Sequence, residues 1–175
     1  MAPPLTIDLS ALGLKGGEAR HLDEQVELDP VVFGESTYTV EPDPVPVAVD
    51  VTRLVRGGWS LRLRFSVSLH GPCMRCLRDA APRFELELRE VDADDEVADG
   101  ELDSPYVDGE RLDLAAWTRD ALMLALPAQI VCEPGCPGLC PVCGADLRDQ
   151  PGHRHEREPD PRWAVLGELR FDDDR

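Results

Sequence analysis

The sequence predicts an α+β fold: an antiparallel β-sheet or partly open barrel, one main helix packed on it, and a Cys-rich C-terminal segment. Three observations carry this. Apolar and polar residues alternate with a period of two through the middle of the chain. One apolar stripe of helical period follows, and after it four cysteines crowd into the run CEPGCPGLCPVCG. Strict alternation gives a strand one apolar and one wet face, the usual condition of antiparallel sheets.

Thr6 to Leu9 reads as a short strand and Leu14 to Gly17 as a turn. Arg20 to Leu28 reads as an edge strand with imperfect alternation, while Val31 to Thr39 is ambiguous. Val45, Val47, Val49 and Val51 alternate with Pro46, Ala48, Asp50 and Thr52. Pro44 and Pro46 place this strand at the start or edge of a sheet, because proline donates no ladder hydrogen bond. Arg56-Gly57-Gly58 marks a turn. Trp59, Leu61, Leu63, Phe65, Val67 and Leu69 then alternate with Ser60, Arg62, Arg64, Ser66, Ser68 and His70, the strongest strand pattern in the chain. Phe84, Leu86 and Leu88, alternating with Glu85, Glu87 and Arg89, predict the returning strand.

Leu114 to Leu126 predicts the main helix. The Asp113 carboxylate can accept the free amides of its first turn, and Pro127 ends it. Leu114, Trp117, Ala121, Leu124 and Ala125 form the stripe expected to face the sheet. Asp160-Pro161 sets a cap before a proline, predicting a short terminal helix with Trp163, Leu166 and Leu169. The expected division is a β-rich domain with the main helix over 1–127, carrying an acidic loop at 90–103. A Cys/His-rich segment over 128–175 packs on the same domain.

The 35 acidic residues outnumber the 18 basic ones, for a formal net charge of -17. Affinity for nucleic acid comes mainly from positive charge, so this balance argues against strong direct binding and towards a basic partner. Residues 90–103 read EVDADDEVADGELD, in which eight of fourteen are acidic. This is a solvated loop or a docking segment for a basic protein. No stretch approaches the roughly 20 apolar residues of a membrane helix. Nor does Met1 to Asp8 show the basic-then-apolar pattern of a secretory leader. The expected location is the cytoplasm, where the six cysteines stay reduced and metal binding explains them better than disulfides.

A Cys-x-x-Cys pair can place two thiolates on one metal without strain, and zinc asks for four ligands in a tetrahedron. Cys73-Met-Arg-Cys76 lies between two predicted strands. Cys140-Pro-Val-Cys143-Gly144 has the form of a zinc knuckle, and Cys132 and Cys136 precede it. A dithiol oxidoreductase would set its pair at a helix start, where the dipole lowers the thiol pKa. Cys73 and Cys76 instead precede Pro82 and a strand. There is no Gly-rich phosphate loop or nucleophile motif, and His153-Arg-His155 is not followed by the carboxylate and histidine usual in metallohydrolases. The chain therefore reads as non-enzymatic, with no small-molecule substrate. Arg62, Arg64, Arg75, Arg78 and Arg83 cluster around the central hairpin, leaving a zinc-dependent RNA-binding module as the alternative. His21 and His70 read as structural.

The order of these features resembles the YceD family, the large ribosomal RNA subunit accumulation proteins. It comprises Cys73-Met-Arg-Cys76-Leu77 between strands, an acidic stretch, and Leu112-Asp113-Leu114 opening a helix that ends Ala125-Leu126-Pro127. Cys132, Cys136-Pro-Gly-Leu-Cys140-Pro-Val-Cys143-Gly144 and Asp160-Pro161-Arg162-Trp163 complete it. The likeness runs from about Val45 to Leu169. It implies a role in 23S ribosomal RNA accumulation with no catalytic residues to carry over. The resemblance implies the ribosome and the charge implies a basic partner, so the expected partner is a large-subunit ribosomal protein or a precursor particle, with indirect rRNA contact also expected. In the family's pattern a late Cys-x-Cys accompanies the knuckle, and His153-Arg-His155 stands there in this chain. That implies two zinc sites, one of Cys73, Cys76, Cys132 and Cys136, the other of Cys140, Cys143, His153 and His155. One compact site from Cys132, Cys136, Cys140 and Cys143 stays open beside it, so one or two ions are expected.

Overall fold

A computed structural model of the chain describes residues 5–93 and 102–155. The chain divides into two compact units, Met1–Cys136 and Pro137–Arg175.

In the first unit the elements run in order. Strand β1 (Thr6–Asp8) leads into a 3-10 turn (Ser10–Leu12) and the edge strand β2 (Ala19–Val26). Val31–Phe33 (β3) and Ser36–Glu41 (β4) form a hairpin through Gly34, which takes a φ of 64°. This resolves the ambiguous stretch: the turn at Gly34 interrupts it, and alternation shows only in β4, where Tyr38 and Val40 are buried between exposed neighbours. Strands β5 (Val45–Arg53) and β6 (Trp59–Pro72) follow, then β7 (Asp79–Ala80) and β8 (Arg83–Asp92). Strand β6 is the spine. Strands β5 and then β4 pair antiparallel along one edge of it, and β8 pairs along the other from Trp59↔Asp92 to Ser68↔Arg83.

Period-two patterning sorts the faces as expected. Val47, Val49, Val51, Leu61, Leu63, Val67 and Leu69 are buried, while the residues between them are half-exposed. At roughly 1.5–3 kcal/mol for each large apolar side chain buried, this face is the main stabilising element of the unit.

Strands β9 (Val107–Asp108) and β10 (Arg111–Asp113) make a second, three-stranded antiparallel sheet with β1. The helix α1 (Leu114–Ala125) starts directly from β10. Asp113 caps it as expected, its carboxylate accepting the amide of Ala116 at 2.9 Å. Helix α1 lies against β8, β1 and β2. Its buried residues are Leu114, Trp117, Thr118, Ala121 and Leu122, and Trp117 stacks on Tyr106 with ring centres 6.0 Å apart. This corrects the expected stripe at Leu124, which is 81% exposed. At 100° per residue, Leu122 and Thr118 sit beside Leu114 and Ala121, whereas Leu124 falls past the Trp117 flank of the contact. Thr118 is tolerated there because its hydroxyl donates to the Leu114 carbonyl at 2.7 Å.

The expected α+β class is met in its coarse form, antiparallel sheets with one main helix among the described residues. Strands dominate. The expected terminal helix after Asp160 lies outside the described residues.

Candidate metal centres

The first centre is built where two segments meet. Beyond β6 the chain turns tightly through Cys73 to Arg78. The Leu77 amide donates to the Cys73 carbonyl at 2.9 Å, and the Cys73 amide donates to the Arg78 carbonyl at 2.7 Å. The segment after α1 is latched to this turn. Met74 donates its amide to the Ile130 carbonyl at 2.9 Å, and the Ile130 amide donates to the Met74 thioether at 3.4 Å. Ile130 is fully buried. This latch delivers Cys132 and Cys136 to the pair 56 and 63 residues earlier. Sequence reasoning missed its residues, whose only signal was a lone Ile130-Val131 step before the cysteines.

The four sulfurs lie within 4.8 Å of one another, with Cys76–Cys132 at 3.6 Å and Cys73–Cys136 at 3.8 Å. A disulfide needs about 2.05 Å, so none is formed. Four thiolates at about 2.3 Å from a tetrahedral zinc stand about 3.8 Å apart, so the geometry fits that ion. Cys73, Cys76 and Cys136 are buried and Cys132 is half-buried.

Electrostatics tell the same story. Burial opposes charge on Cys73, but the amides of Arg75, Cys76 and Cys132 and the Cys76 thiol bring its pKa down to about 6. The Arg78 amide favours thiolate at Cys76, yet burial and the thiols of Cys73, Cys132 and Cys136 drive it up to about 12. The first proton leaves readily, and further negative charge meets mounting repulsion. A divalent cation removes that repulsion.

The second centre lies within the second unit. The turn Cys140 to Ala145 closes through the Gly144 amide on the Cys140 carbonyl and the Cys140 amide on the Ala145 carbonyl, both at 2.8 Å. A bridge between Leu139 and Asp146 continues the turn. The amides of Cys143 and Val142 outweigh burial and, with Cys143 and His153, bring the Cys140 thiol down to about 6. Cys143 Sγ sits 3.2 Å from His153 Nε2 and 3.3 Å from His155 Nε2. These atoms and Cys140 Sγ lie within 4.8 Å of one another, so this group too can hold a metal ion.

Every predicted ligand thus falls into one of two clusters, in the pairing implied by the family pattern. Cys132 and Cys136 close on Cys73 and Cys76, so the compact four-cysteine grouping is not the one formed.

The predicted basic patch is largely neutralised. Arg62 pairs with Glu87 at 2.8 Å, Arg64 with Asp50 at 2.9 Å, and Arg83 with Glu85 at 3.4 Å. Arg75 and Arg78, at the turn, are exposed. His21 and His70 sit beside Asp50 and Glu41 respectively. Of the acidic stretch, residues 94–101 lie outside those described, but its base is closed by the Ala93 amide donating to the Leu102 carbonyl at 2.9 Å. No helix among the described residues is long and apolar enough to cross a membrane.

Residues 61–170 match the family model described as large ribosomal RNA subunit accumulation protein YceD. An uncharacterized protein of Mycobacterium tuberculosis is 34% identical over 175 residues, covering 97% of this chain and 83% of that one. The Bacillus subtilis protein YlbN, also uncharacterized, is 26% identical, covering 87% of this chain and 88% of its own. A maize chloroplastic protein, called large ribosomal RNA subunit accumulation protein YCED homolog 1, is 28% identical over 65% of this chain and 49% of its own length. No solved structure matches.

Proposed function

The chain belongs to the YceD family, and on that premise we propose that it is a non-enzymatic accessory factor in accumulation of the large ribosomal subunit and its 23S RNA. It acts in the cytoplasm through a basic large-subunit protein or a precursor particle containing one. The family match carries the ribosomal part of this reading. The net charge of -17 supports a protein partner, since RNA phosphates repel such a chain whereas an unassembled basic protein is attracted to it. The commitment of Arg62, Arg64 and Arg83 to carboxylates weighs the same way, because an arginine already paired has less to offer a phosphate.

Zinc is the cofactor in this reading, one ion in each cluster, with Cys73, Cys76, Cys132 and Cys136 holding the first and Cys140, Cys143, His153 and His155 the second. Thiolate and imidazole donors gathered within 4.8 Å of one another support zinc over harder cations, which prefer oxygen. The first ion staples segments distant in sequence, the second closes the knuckle segment on itself, and neither performs chemistry.

The test is affinity purification of the tagged chain from cells in moderate salt, with and without nuclease. A large-subunit protein that survives nuclease supports the reading. Loss of every ribosomal component on nuclease treatment, together with RNA binding abolished by Arg75→Glu and Arg78→Glu, would transfer it to direct RNA contact.

A further inference from the structure

The two clusters are unequal in ways that bear on what each does with its ion, and the comparison rests on reading both as zinc sites. The first is shielded, with three of its four ligands buried and Cys132 half-buried. In the second only Cys140 is buried; Cys143 and His155 are exposed and His153 is half-exposed. Amides support the sulfurs of both clusters, that of Arg75 on Cys73 at 3.4 Å and those of Val142 and Cys143 on Cys140, so outer support differs at the imidazoles alone. Each imidazole of the second cluster turns Nε2 inward, and among the described residues neither Nδ1 has a hydrogen-bond partner. Partners of that kind orient a ligating histidine and raise its basicity.

Zinc leaves such a site by ligand exchange, so an incoming donor must first reach the metal. The buried sulfurs of the first cluster deny that approach, and the exposed Cys143 and His155 of the second allow it. We infer that Cys140, Cys143, His153 and His155 form an exchangeable zinc site, loaded and emptied as the available metal varies, while the four-cysteine site keeps its ion. Zinc supply then controls the order of the knuckle segment without disturbing the sheet, because binding free energy at such a site is folding free energy.

The test loads the full chain with zinc and follows release to excess 4-(2-pyridylazo)resorcinol. One equivalent should leave at least about tenfold faster than the other, the scale on which outer-shell support tunes metal sites. The double variant His153→Ala/His155→Ala should carry one equivalent and release it only slowly. Cys143→Ser, a second route to the same site, should lose the same fast phase. Release of both equivalents in one phase, or a fast phase persisting in either variant, would overturn the inference while leaving two zinc sites in place. A chain that takes up no zinc would instead sink the zinc reading itself.

Discussion

Leu77 and Gly144 occupy the same backbone position in two turns 67 residues apart in the numbering. Each follows the second cysteine of a Cys-x-x-Cys pair, and each has a left-handed backbone, with φ of 63° and 72°. Each also donates its amide to the carbonyl of the first cysteine, Cys73 at 2.9 Å and Cys140 at 2.8 Å. The two turns are one local device, and it demands a conformation that glycine adopts freely and leucine does not.

The pair gives opposite expectations. A Cβ at Gly144 meets nothing within 4 Å, so Gly144→Ala should destabilise its turn through the backbone alone, by roughly 1–2 kcal/mol. Leu77→Gly relieves the same strain, set against about 0.4–1 kcal/mol of added unfolded-chain entropy. Its thermal midpoint should equal or exceed that of the parent protein. A drop in the midpoint of Leu77→Gly would show that the 68%-exposed leucine makes a contact essential to the fold.

Gly58 presents the harsher case. Its φ is 88°, and an added Cβ would collide with the Asp92 carbonyl and lie 2.7 Å from the Ala93 Cα. Both obstacles are backbone and cannot swing aside. Gly58→Ala should cost about 3 kcal/mol or more, combining strain with overpacking, and should weaken the β6–β8 pairing that begins there. Urea unfolding of the variant checks this.

The helix offers a matched pair. Leu122 is 1% exposed and Leu124 is 81% exposed. Leu122→Ala should cost about 2–5 kcal/mol through lost burial and a cavity. Leu124→Ala should stay within about 0.5 kcal/mol of the parent. Equal losses at the two sites would restore the stripe read from the sequence.

Removing a ligand of the first cluster should act on the sheet unit. Cys73→Ser should carry one zinc equivalent fewer by elemental analysis, and the main unfolding transition should move to lower temperature. An unchanged transition with that equivalent missing would mean that the ion contributes nothing to folding.

His21 supplies a pH dependence. Its hydrogen bond to Asp50, at 2.6 Å, raises its pKa above 6.5 against the effect of burial, with Asp23 adding to the rise. Asp50 is lowered by the same bond, against burial and with help from Arg64. A raised histidine contributes stability that is fully present below its unfolded value and lost as pH climbs through the folded one. The aspartate contributes above its own unfolded value of 3.8 and loses that contribution as pH falls. His21→Asn should therefore destabilise more at about pH 5.5 than at about pH 8.5. The difference should shrink in salt, because the pair is exposed. Urea unfolding at the two pH values measures it, and a His21 titration midpoint at or below 6.5 by NMR would contradict its basis.

Several features were legible because their causes are local. Strand β6 announces itself through six alternating apolar residues, and that alternation is the physical condition for burying one face. The cap at Asp113 needs only the three residues after it. The two Cys-x-x-Cys turns are likewise set by their own backbones. The terms that escaped the sequence depend on what lies opposite. Leu122 and Leu124 are equally apolar, and the direction of the sheet beneath α1 decides which one is buried. Spacing alone offered Cys132 and Cys136 to either pair of cysteines. The Met74–Ile130 latch, joining residues 56 apart, carries them to Cys73 and Cys76. Residue types and local spacing determined that this chain has an alternating sheet, a capped helix and cysteines able to hold a metal ion. Tertiary structure decided which sulfurs share a centre, because convergence in space is a property of long-range packing that no local pattern encodes.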